Sequence, residues 1–391
     1  MAPHTSTTQA VPPEGGPDPS TSGRARARPA GADGAGRRRL GPGWFAAVMG
    51  TGIVAVAAAT LPRAFPGLRA TATVVWAAAG LLLIVLAARY LGQRTLRVHA
   101  GDPLLAQFLG APPMALLTVG AGTLLLGPRL LGERAALDVD WVLWSVGTVL
   151  GLASACAVPC LMVTRHRFTP DAASGGWLLP VVPVVPPIVS AATGALLVPR
   201  APAGQPRLAL LLGCYAMLGL GLVAVLLVLA MVYSRLVHHE APSGATVPTV
   251  WIGVGALDQA VTALGALAKA TPSTLPAPYG RGSAVAALLG GLGIWGFAML
   301  WLVLATALTV REVRRGLPFA PTWWSFIFPL GACVTGTSAL AARTGSQPFV
   351  WGAVALYALL VAAWAVVAWH SLRHAAGQWR RTGGRATHKP S

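Results

Sequence analysis

The chain has 391 residues, of which 55% are hydrophobic and only 10% are charged, whereas soluble domains carry roughly 25% charged residues. Together with a mean hydropathy of +0.64, this excludes a soluble globular protein and predicts an integral membrane protein with several spans. The formal net charge of +18 does not indicate nucleic-acid binding. The basic residues lie in two tails and short loops and form no basic face interleaved with aromatic residues.

Residues 1–39 are rich in Pro, Gly, Ala, Ser, Thr and Arg and contain no apolar run, which predicts a disordered cytoplasmic tail. Residues 40–372 are predicted to form the membrane domain, and residues 373–391 a basic cytoplasmic tail. The cluster 37–39 of three arginines precedes an apolar stretch and could be mistaken for a signal peptide. Since that stretch has about 20 residues and further spans follow, we expect a retained first helix.

Ten segments after the first tail are long enough to cross a bilayer as helices, which predicts an all-α membrane protein. Their predicted limits are 43–62, 70–91, 106–127, 141–164, 176–198, 207–234, 248–269, 283–310, 322–342 and 348–371. With the termini and even-numbered loops in the cytoplasm, 20 of the 29 Lys and Arg residues lie on that side. The positive-inside rule therefore places both termini in the cytoplasm.

The odd-numbered spans share one plan, in which an aromatic residue is followed by Gly, Pro and small residues. The aromatic positions are Phe45, Phe108, Trp177, Trp251 and Trp324, at intervals of 63, 69, 74 and 73 residues. Even-numbered spans differ, and the Leu/Val run of the sixth suits a lipid-facing helix. Transporters are often built from repeats whose broken helices line the pathway. The pattern therefore predicts a helical hairpin used five times.

The ninth span carries the clearest version of this plan. It opens with Trp323 and Trp324, contains Pro329, and continues almost entirely in Gly, Ala, Ser, Thr and Leu. A proline inside a spanning helix frees a backbone carbonyl, and small residues let neighbouring helices approach closely. We therefore predict a kinked, closely packed helix.

These motifs resemble the tellurite-resistance/dicarboxylate transporter family, which includes bacterial tellurite-resistance proteins, plant slow anion channels, yeast malate permeases and sulfite efflux pumps. The resemblance covers roughly residues 43–372 and all five odd spans. It rests on Trp44-Phe45 with Met49-Gly50-Thr51-Gly52-Ile53-Val54, Gly110 with Pro113-Met114, Trp177-Leu178-Leu179-Pro180 with Pro186-Pro187-Ile188-Val189, Pro248-Thr249-Val250-Trp251-Ile252, and Trp323-Trp324-Ser325-Phe326 with Phe328-Pro329-Leu330-Gly331.

The resemblance implies ten helices in five hairpins, arranged with pseudo-fivefold symmetry around a central pore, and a homotrimer in the plasma membrane. It also implies permeation of small anions past a phenylalanine of the ninth helix near mid-membrane. Phe328 matches that pore gate best and Phe326 second. The alternative is that both are ordinary core aromatic residues.

An anion pore needs hydroxyl or amide donors and positive potential rather than tight binding. The pore-lining candidates are Thr51, Pro113, Pro187, Thr193, Thr262 and Thr335. Further polar candidates in the odd spans are Thr118, Ser190, Gln259, Thr337 and Ser338. The alternative for each hydroxyl is a bond to its own helix backbone.

Asp258 is the one carboxylate that the predicted spans contain, and intramembrane acids are costly and commonly functional. A fixed negative charge would oppose an anion, so Asp258 is a candidate for proton coupling. The alternatives are that it hydrogen-bonds to neighbouring helices, caps a helix break or pairs with an Arg. The resemblance implies a small, uncharged residue at this position, so Asp258 departs from it. Lys269 and Arg343 are predicted to form an electropositive anion vestibule, with snorkelling at the interface as the alternative.

The remaining chemistry-bearing residues predict no catalytic site, metal site or cofactor. Cys156, Cys160, Cys214 and Cys333 lie in apolar segments and are expected to be small buried core residues. The favoured function is transport of a small anion, either a C4-dicarboxylate such as malate or an oxyanion such as sulfite or tellurite, with proton coupling left open. An integral membrane enzyme or sensor is the alternative, but clustered His, Asp or Glu residues and a soluble domain are missing from the sequence.

Overall fold

The computed structural model describes residues 40–93, 95–165, 181–238 and 241–386. The predicted tail 1–39 and the motif 177–180 lie outside the described residues. Within them the secondary structure is helical, and ten helical segments are long and apolar enough to cross a membrane. This confirms the prediction of an all-α membrane protein with ten spans.

The ten long helices are numbered here in chain order. They are α1 (Phe45–Thr60), α2 (Leu68–Gly92), α3 (Ala111–Leu126), α4 (Glu133–Thr164), α5 (Pro186–Leu197), α6 (Gln205–His238), α7 (Trp251–Ala270), α8 (Ala277–Val313), α9 (Ile327–Thr344) and α10 (Gln347–Ala386). Short helices at Leu96–Gly101, Pro103–Gln107 and Pro128–Leu131 lie in the connections. Helix α10 continues into the predicted tail 373–391.

Helix packing follows the predicted hairpins. Each even helix packs against the odd helix before it, so that α2 contacts α1, and likewise through to α10 against α9. The odd helices also contact one another in a closed circuit, α1 to α3, α3 to α5, α5 to α7, α7 to α9 and α9 back to α1. The odd helices therefore form an inner layer and the even helices an outer one.

Burial separates the two layers as the residue patterns predicted. In the odd spans 72–94% of the most apolar window is buried, against 17–33% in the even spans. The even helices keep large apolar side chains on their outer faces, for example Leu227 at 64% exposed. Such faces suit contact with lipid tails, because an apolar side chain that faces lipid is not exposed to water.

Prolines mark where the inner helices begin and do not interrupt them. Each odd helix is preceded by a 3-10 segment, for example Pro42–Trp44 before α1 and Pro321–Phe326 before α9. Pro329 is consequently the third residue of α9, and Pro113 and Pro187 lie equally early in α3 and α5. In the first turn a missing N–H breaks no intrahelical bond. The predicted kink inside the ninth span is thus replaced by a change from 3-10 to α-helix ahead of the proline.

Glycines allow the inner helices to touch. A Cβ atom on Gly52 of α1 would lie 2.9 Å from Thr118 of α3, and one on Gly331 of α9 would overlap Ile53 of α1. These contacts join α1 to its two neighbours in the circuit. Close packing of this kind is what holds helices together where no hydrophobic force acts between them.

Two further predictions are wrong. The first is the start of the fourth span, since α4 begins at Glu133, which places Asp138 and Asp140 in the helix and not in an outer loop. Gly132, at φ +83°, ends the preceding turn, and acidic residues are favoured at a helix start. Asp140 is only 1% exposed and packs on Gly120, so Asp258 is not the only carboxylate inside a span.

The second concerns the cysteines. Cys214 and Cys333 are buried as expected, but Cys156 and Cys160 are exposed. Both lie on the outer face of α4, an even helix, where one face meets lipid and burial by other helices is not required.

Candidate functional site

The five odd helices surround a cavity of about 940 Å³. It extends to the side of the molecule on which the odd helices end, called here the C side, where Thr60, Lys269 and Arg343 border it. The other side, on which the odd helices begin, is called the N side. The polar residues of the lining are Thr60, Thr118, Thr193, Gln259, Thr262, Thr335, Ser338, Lys269 and Arg343, and the described lining contains no acidic residue.

A second, smaller cavity of about 30 Å³ lies on the N side. It is lined mainly by the 3-10 segments and first turns of the odd helices, including Met49, Phe108 and Ser325. Among the residues that the structure describes, Phe328 alone lines both cavities, and its side chain is 3% exposed. Its ring therefore lies between the wide cavity and the narrow one.

Phe326 occupies a different environment. Its ring packs edge-on against Trp251, with centroids 5.5 Å apart, and against Trp323 at 6.3 Å. It lines neither cavity. The two candidate phenylalanines, two residues apart in sequence, thus have separate surroundings, one in an aromatic cluster and one between the cavities.

Five lining residues lie at one depth and are called here the mid-level ring. Thr118 and Thr193 are the eighth residues of α3 and α5, while Ile53, Gln259 and Thr335 are the ninth residues of α1, α7 and α9. Each odd helix supplies one member, and all five line the large cavity. Four of the five carry polar side chains.

The ring threonines use their hydroxyl hydrogens within their own helices. Each donates to a backbone carbonyl of the preceding turn: Thr118 to Met114 at 2.7 Å, Thr193 to Val189 at 2.9 Å, and Thr335 to Ala332 at 3.1 Å. Thr262 and Thr335 also share a hydrogen bond of 2.8 Å that links α7 to α9. A hydroxyl whose hydrogen is engaged presents only lone pairs to the cavity.

Three pore-lining candidates, Thr193, Thr262 and Thr335, border the large cavity, and three do not. Thr51 faces α10, where its Oγ accepts a hydrogen bond from the Trp364 indole at 3.2 Å. Pro113 packs towards α4 near Gly147 and Gly151. Pro187 is buried in the first turn of α5.

Of the further polar candidates, Thr337 accepts a hydrogen bond from the Trp295 indole at 3.1 Å, and Ser190 is fully buried outside the lining.

Asp258 faces α9 and is not part of the cavity lining. Its side chain is fully buried, and its Oδ2 accepts a hydrogen bond from the Cys333 thiol at 2.9 Å. Its Oδ1 has no hydrogen-bond partner among the described residues and lies over Gly336, where a Cβ would be 3.1 Å away. The interhelical hydrogen bond that the sequence left as one alternative is therefore present.

The two predicted vestibule cations differ in their attachment. Lys269 is exposed and makes no hydrogen bond or ion pair with any residue that the structure describes. Arg343 is half-buried and donates from Nη2 to the carbonyl of Gly265 at 3.0 Å, which ties α9 to α7. Both border the C-side end of the large cavity.

Sequence patterns missed two features. Part of the cavity wall is formed by an even helix, α8, through Ala284, Val285 and Leu288. The sequence predicts that even spans face lipid, and nothing in the composition of α8 distinguishes these three positions from its lipid-facing ones. Asp140 was missed because the helix start was placed too late. In the described part of the chain, no three His, Cys, Asp or Glu residues come together as metal ligands.

The fold and site define a multi-pass membrane protein whose inner helices surround a cavity lined by apolar and polar side chains, with Phe328 between this cavity and the smaller one on the N side. The family model described as SLAC1, voltage-dependent anion channel, matches residues 39–372. The chain belongs to this family of anion channels and transporters, which confirms the family that the motifs indicated.

Named relatives cover most of the chain. The sulfite efflux pump SSU1 of Trichophyton rubrum is 29% identical over 324 residues, 79% of this chain and 83% of the relative. Its counterpart in Arthroderma otae matches to the same extent. An uncharacterized transporter of Methanocaldococcus jannaschii is 29% identical over 332 residues, 83% of this chain and 91% of the relative.

Proposed function

We propose that this protein conducts small anions across the cell membrane along the axis enclosed by the odd helices, with sulfite-type oxyanions as the first candidates. The observation that carries the proposal is the position of Phe328, which alone among the described residues borders both cavities. A pathway through the ring of helices has to pass this side chain, so Phe328 serves as the gate. The pseudo-fivefold pore is part of the proposal and is supported by the closed circuit of contacts among odd helices.

The lining favours a loosely selective path over a dedicated dicarboxylate carrier. Recognition of a dicarboxylate is expected to place arginine residues where each carboxylate binds, because arginine pairs with carboxylate in a bidentate way. The cations of the described lining are Lys269 and Arg343, both near the C-side end. Tellurite and C4-dicarboxylates are therefore secondary candidates, and the sulfite efflux relatives support the sulfur oxyanion.

Orientation, assembly and coupling complete the proposal. Positive charge in the even-numbered loops supports a cytoplasmic N side with both termini inside, in which case the large cavity opens outward. The exposed apolar faces of the even helices suit lipid contact and a homotrimer, and light scattering of the detergent-solubilised protein will report its mass. Asp258 is the proposed proton-coupling residue. Thr193, Thr262 and Thr335 are the proposed pore-lining hydroxyls.

Anion flux into proteoliposomes tests the gate. Phe328→Ala removes the ring between the cavities, and we expect flux of hydrogen sulfite and chloride to rise about tenfold or more, since the aromatic ring is the barrier to entry. Phe326→Ala is the matched control, because it removes the same side chain two residues away in the aromatic cluster. Its flux should stay close to that of the wild type.

Two results would count against the proposal. Flux that rises equally in both variants would indicate general loosening of the α9 start and not a gate. Absence of anion flux in the wild type and in Phe328→Ala, with both proteins folded, would refute transport of the anions tested and leave the family relationship as a statement about fold.

A further inference from the structure

The polar groups facing the large cavity fall into two sets that differ in what they can offer a ligand. The ring threonines have their hydroxyl hydrogens engaged by backbone carbonyls and so offer lone pairs. The side chains of Gln259 and Ser338 make no hydrogen bond with any described residue, although these residues are only 5% and 4% exposed. Gln259 Oε1 and Ser338 Oγ are buried without partners. A buried polar group without a partner is costly unless a ligand or water satisfies it.

The lining side chains whose N–H or O–H groups are not all engaged by described acceptors belong to one wall of the cavity. Lys269 and Gln259 lie on α7, and Arg343 and Ser338 lie on α9. Contacts between these helices give the order in depth. Gly265 meets Ala339 and the Arg343 side chain, whereas Asp258, next to Gln259, meets Cys333 and Gly336.

An anion moving inward along this wall therefore meets Lys269 and Arg343 first, then Ser338. Gln259 follows about one helical turn deeper. The threonines on α3 and α5 complete the ring at the level of Gln259 but do not extend this series of free donors.

Charge is confined to the outer end of this path. Between the vestibule and Phe328 the described lining contains no charged side chain. The cost of removing an ion from water grows with the square of its charge, and this part of the lining offers only neutral donors to offset it. The inner part of the cavity therefore suits a monovalent anion and disfavours a dianion.

The acceptors at the same level impose a second requirement. Gln259, Thr118 and Thr193 line the space in which the anion is held, and Gln259 Oε1 has no hydrogen-bond partner among the described residues. An anion without a proton would meet these oxygens with repulsion and leave Gln259 Oε1 unsatisfied. An oxyanion that carries an O–H group can donate to one of them while its other oxygens accept from Gln259 and Ser338. An amide presents donor and acceptor whichever way it is turned.

We propose that the mid-level ring, together with Ser338, binds a monovalent oxyanion that carries a proton, such as hydrogen sulfite, and that Gln259 selects for that proton. This inference rests on the proposed anion transport. In the bound state the Gln259 N–H and the Ser338 O–H donate to the anion, and the O–H of the anion donates to Gln259 Oε1.

Flux measured in proteoliposomes at one fixed pH tests this assignment. The probes are hydrogen sulfite, methanesulfinate, in which a methyl group replaces the hydroxyl at the same charge, and sulfate as the dianion. We expect the wild type to move hydrogen sulfite about tenfold faster than methanesulfinate, the effect of one well-placed hydrogen bond in a buried site. Sulfate should be the slowest of the three.

Two variants separate the roles of the donor and the acceptor. Gln259→Leu removes both, so the ratio of hydrogen sulfite flux to methanesulfinate flux should fall to about twofold or less. Ser338→Ala removes only a donor that both anions use, so both fluxes should fall while their ratio stays as in the wild type. Thr148→Val is the matched control, because it removes a buried, unpartnered hydroxyl of α4 that does not line the cavity.

Similar rates for hydrogen sulfite and methanesulfinate in the wild type, or sulfate passing as fast as either, would overturn this inference and leave anion transport standing. The same holds if folded Gln259→Leu keeps the wild-type ratio. If Gln259→Leu fails to fold, the ratio of hydrogen sulfite flux to methanesulfinate flux in the wild type and in Ser338→Ala still tests the inference. Absence of flux for every probe in folded wild type would overturn the transport proposal and this inference with it.

Discussion

Asp258 illustrates how a single residue can lie beside a pathway without facing it. The residues that follow it, Gln259 and Thr262, border the large cavity, whereas the Asp258 carboxyl group is turned towards Cys333 of α9. Its charge is thereby kept off the anion path. A proton on this group can affect transport through the α7–α9 contact, through its neighbour Gln259, or through the change in charge itself.

Asp258→Asn tests the coupling role, because the amide keeps the shape of the side chain and can still accept the Cys333 hydrogen bond. We expect anion flux down its own gradient to stay within about twofold of the wild type, since the cavity lining is unchanged. Any flux driven by a proton gradient should disappear, because the amide cannot exchange a proton. Proton-driven flux that persists in Asp258→Asn would exclude Asp258 as the coupling residue.

Lys269 is exposed and makes no hydrogen bond or ion pair with the described residues, so its charge acts on the cavity mouth through space. Lys269→Met should lower anion flux about threefold at low ionic strength and have little effect at high salt, where the field is screened. Arg281→Met is the matched control, because Arg281 lies at the same side of the molecule on α8 but outside the lining. A loss that is equal in both variants, or that salt does not reduce, would contradict the vestibule.

At the scale of the helices, close packing through glycine decides how the inner layer closes. Gly331 of α9 lies against Ile53 of α1, at the contact that completes the circuit of odd helices. A larger side chain there would push the two helices apart and open the ring at the level just above Phe328.

We therefore expect Gly331→Val to destabilise the protein by about 1–3 kcal/mol through overpacking, measured as a lower unfolding temperature in detergent. Gly293→Val on α8 is the control, since a Cβ there meets no atom within 4 Å. Equal unfolding temperatures for the two variants would show that the contact between α1 and α9 tolerates extra volume.

The helices themselves could be predicted because span length and hydropathy follow directly from the bilayer. The first residues of the helices were predicted less accurately. Gly132 and the acids of α4 read as a loop, and Pro329 read as a kink, because a sequence does not show where a 3-10 segment gives way to an α-helix. The sequence also did not predict which face of each span lines the cavity. Thr51 and Thr193 belong to similar Gly- and Ala-rich spans, yet Thr51 bonds Trp364 and Thr193 borders the cavity.

At the scale of the whole molecule, the two layers of helices have different surroundings. The outer layer meets lipid with apolar faces, and the inner layer encloses a space with polar side chains in its wall, wide towards the C side and narrow beyond Phe328. The repeated hairpin explains why each odd helix contributes one residue to the mid-level ring. The break in the repeat at α7, where an amide replaces an aliphatic or hydroxyl side chain, is where selectivity is expected.

The most direct test of the central claim, that anions pass through the space enclosed by the odd helices, is modification of a single cysteine in that space. In a variant whose four native cysteines are replaced by serine, Thr193→Cys is treated with a charged, membrane-impermeant thiol reagent while hydrogen sulfite flux is followed. We expect the reagent to block flux through Thr193→Cys and to leave Leu227→Cys, on the lipid face of α6, unaffected. Unchanged flux in a Thr193→Cys protein shown by mass spectrometry to be fully modified would place the anion path elsewhere.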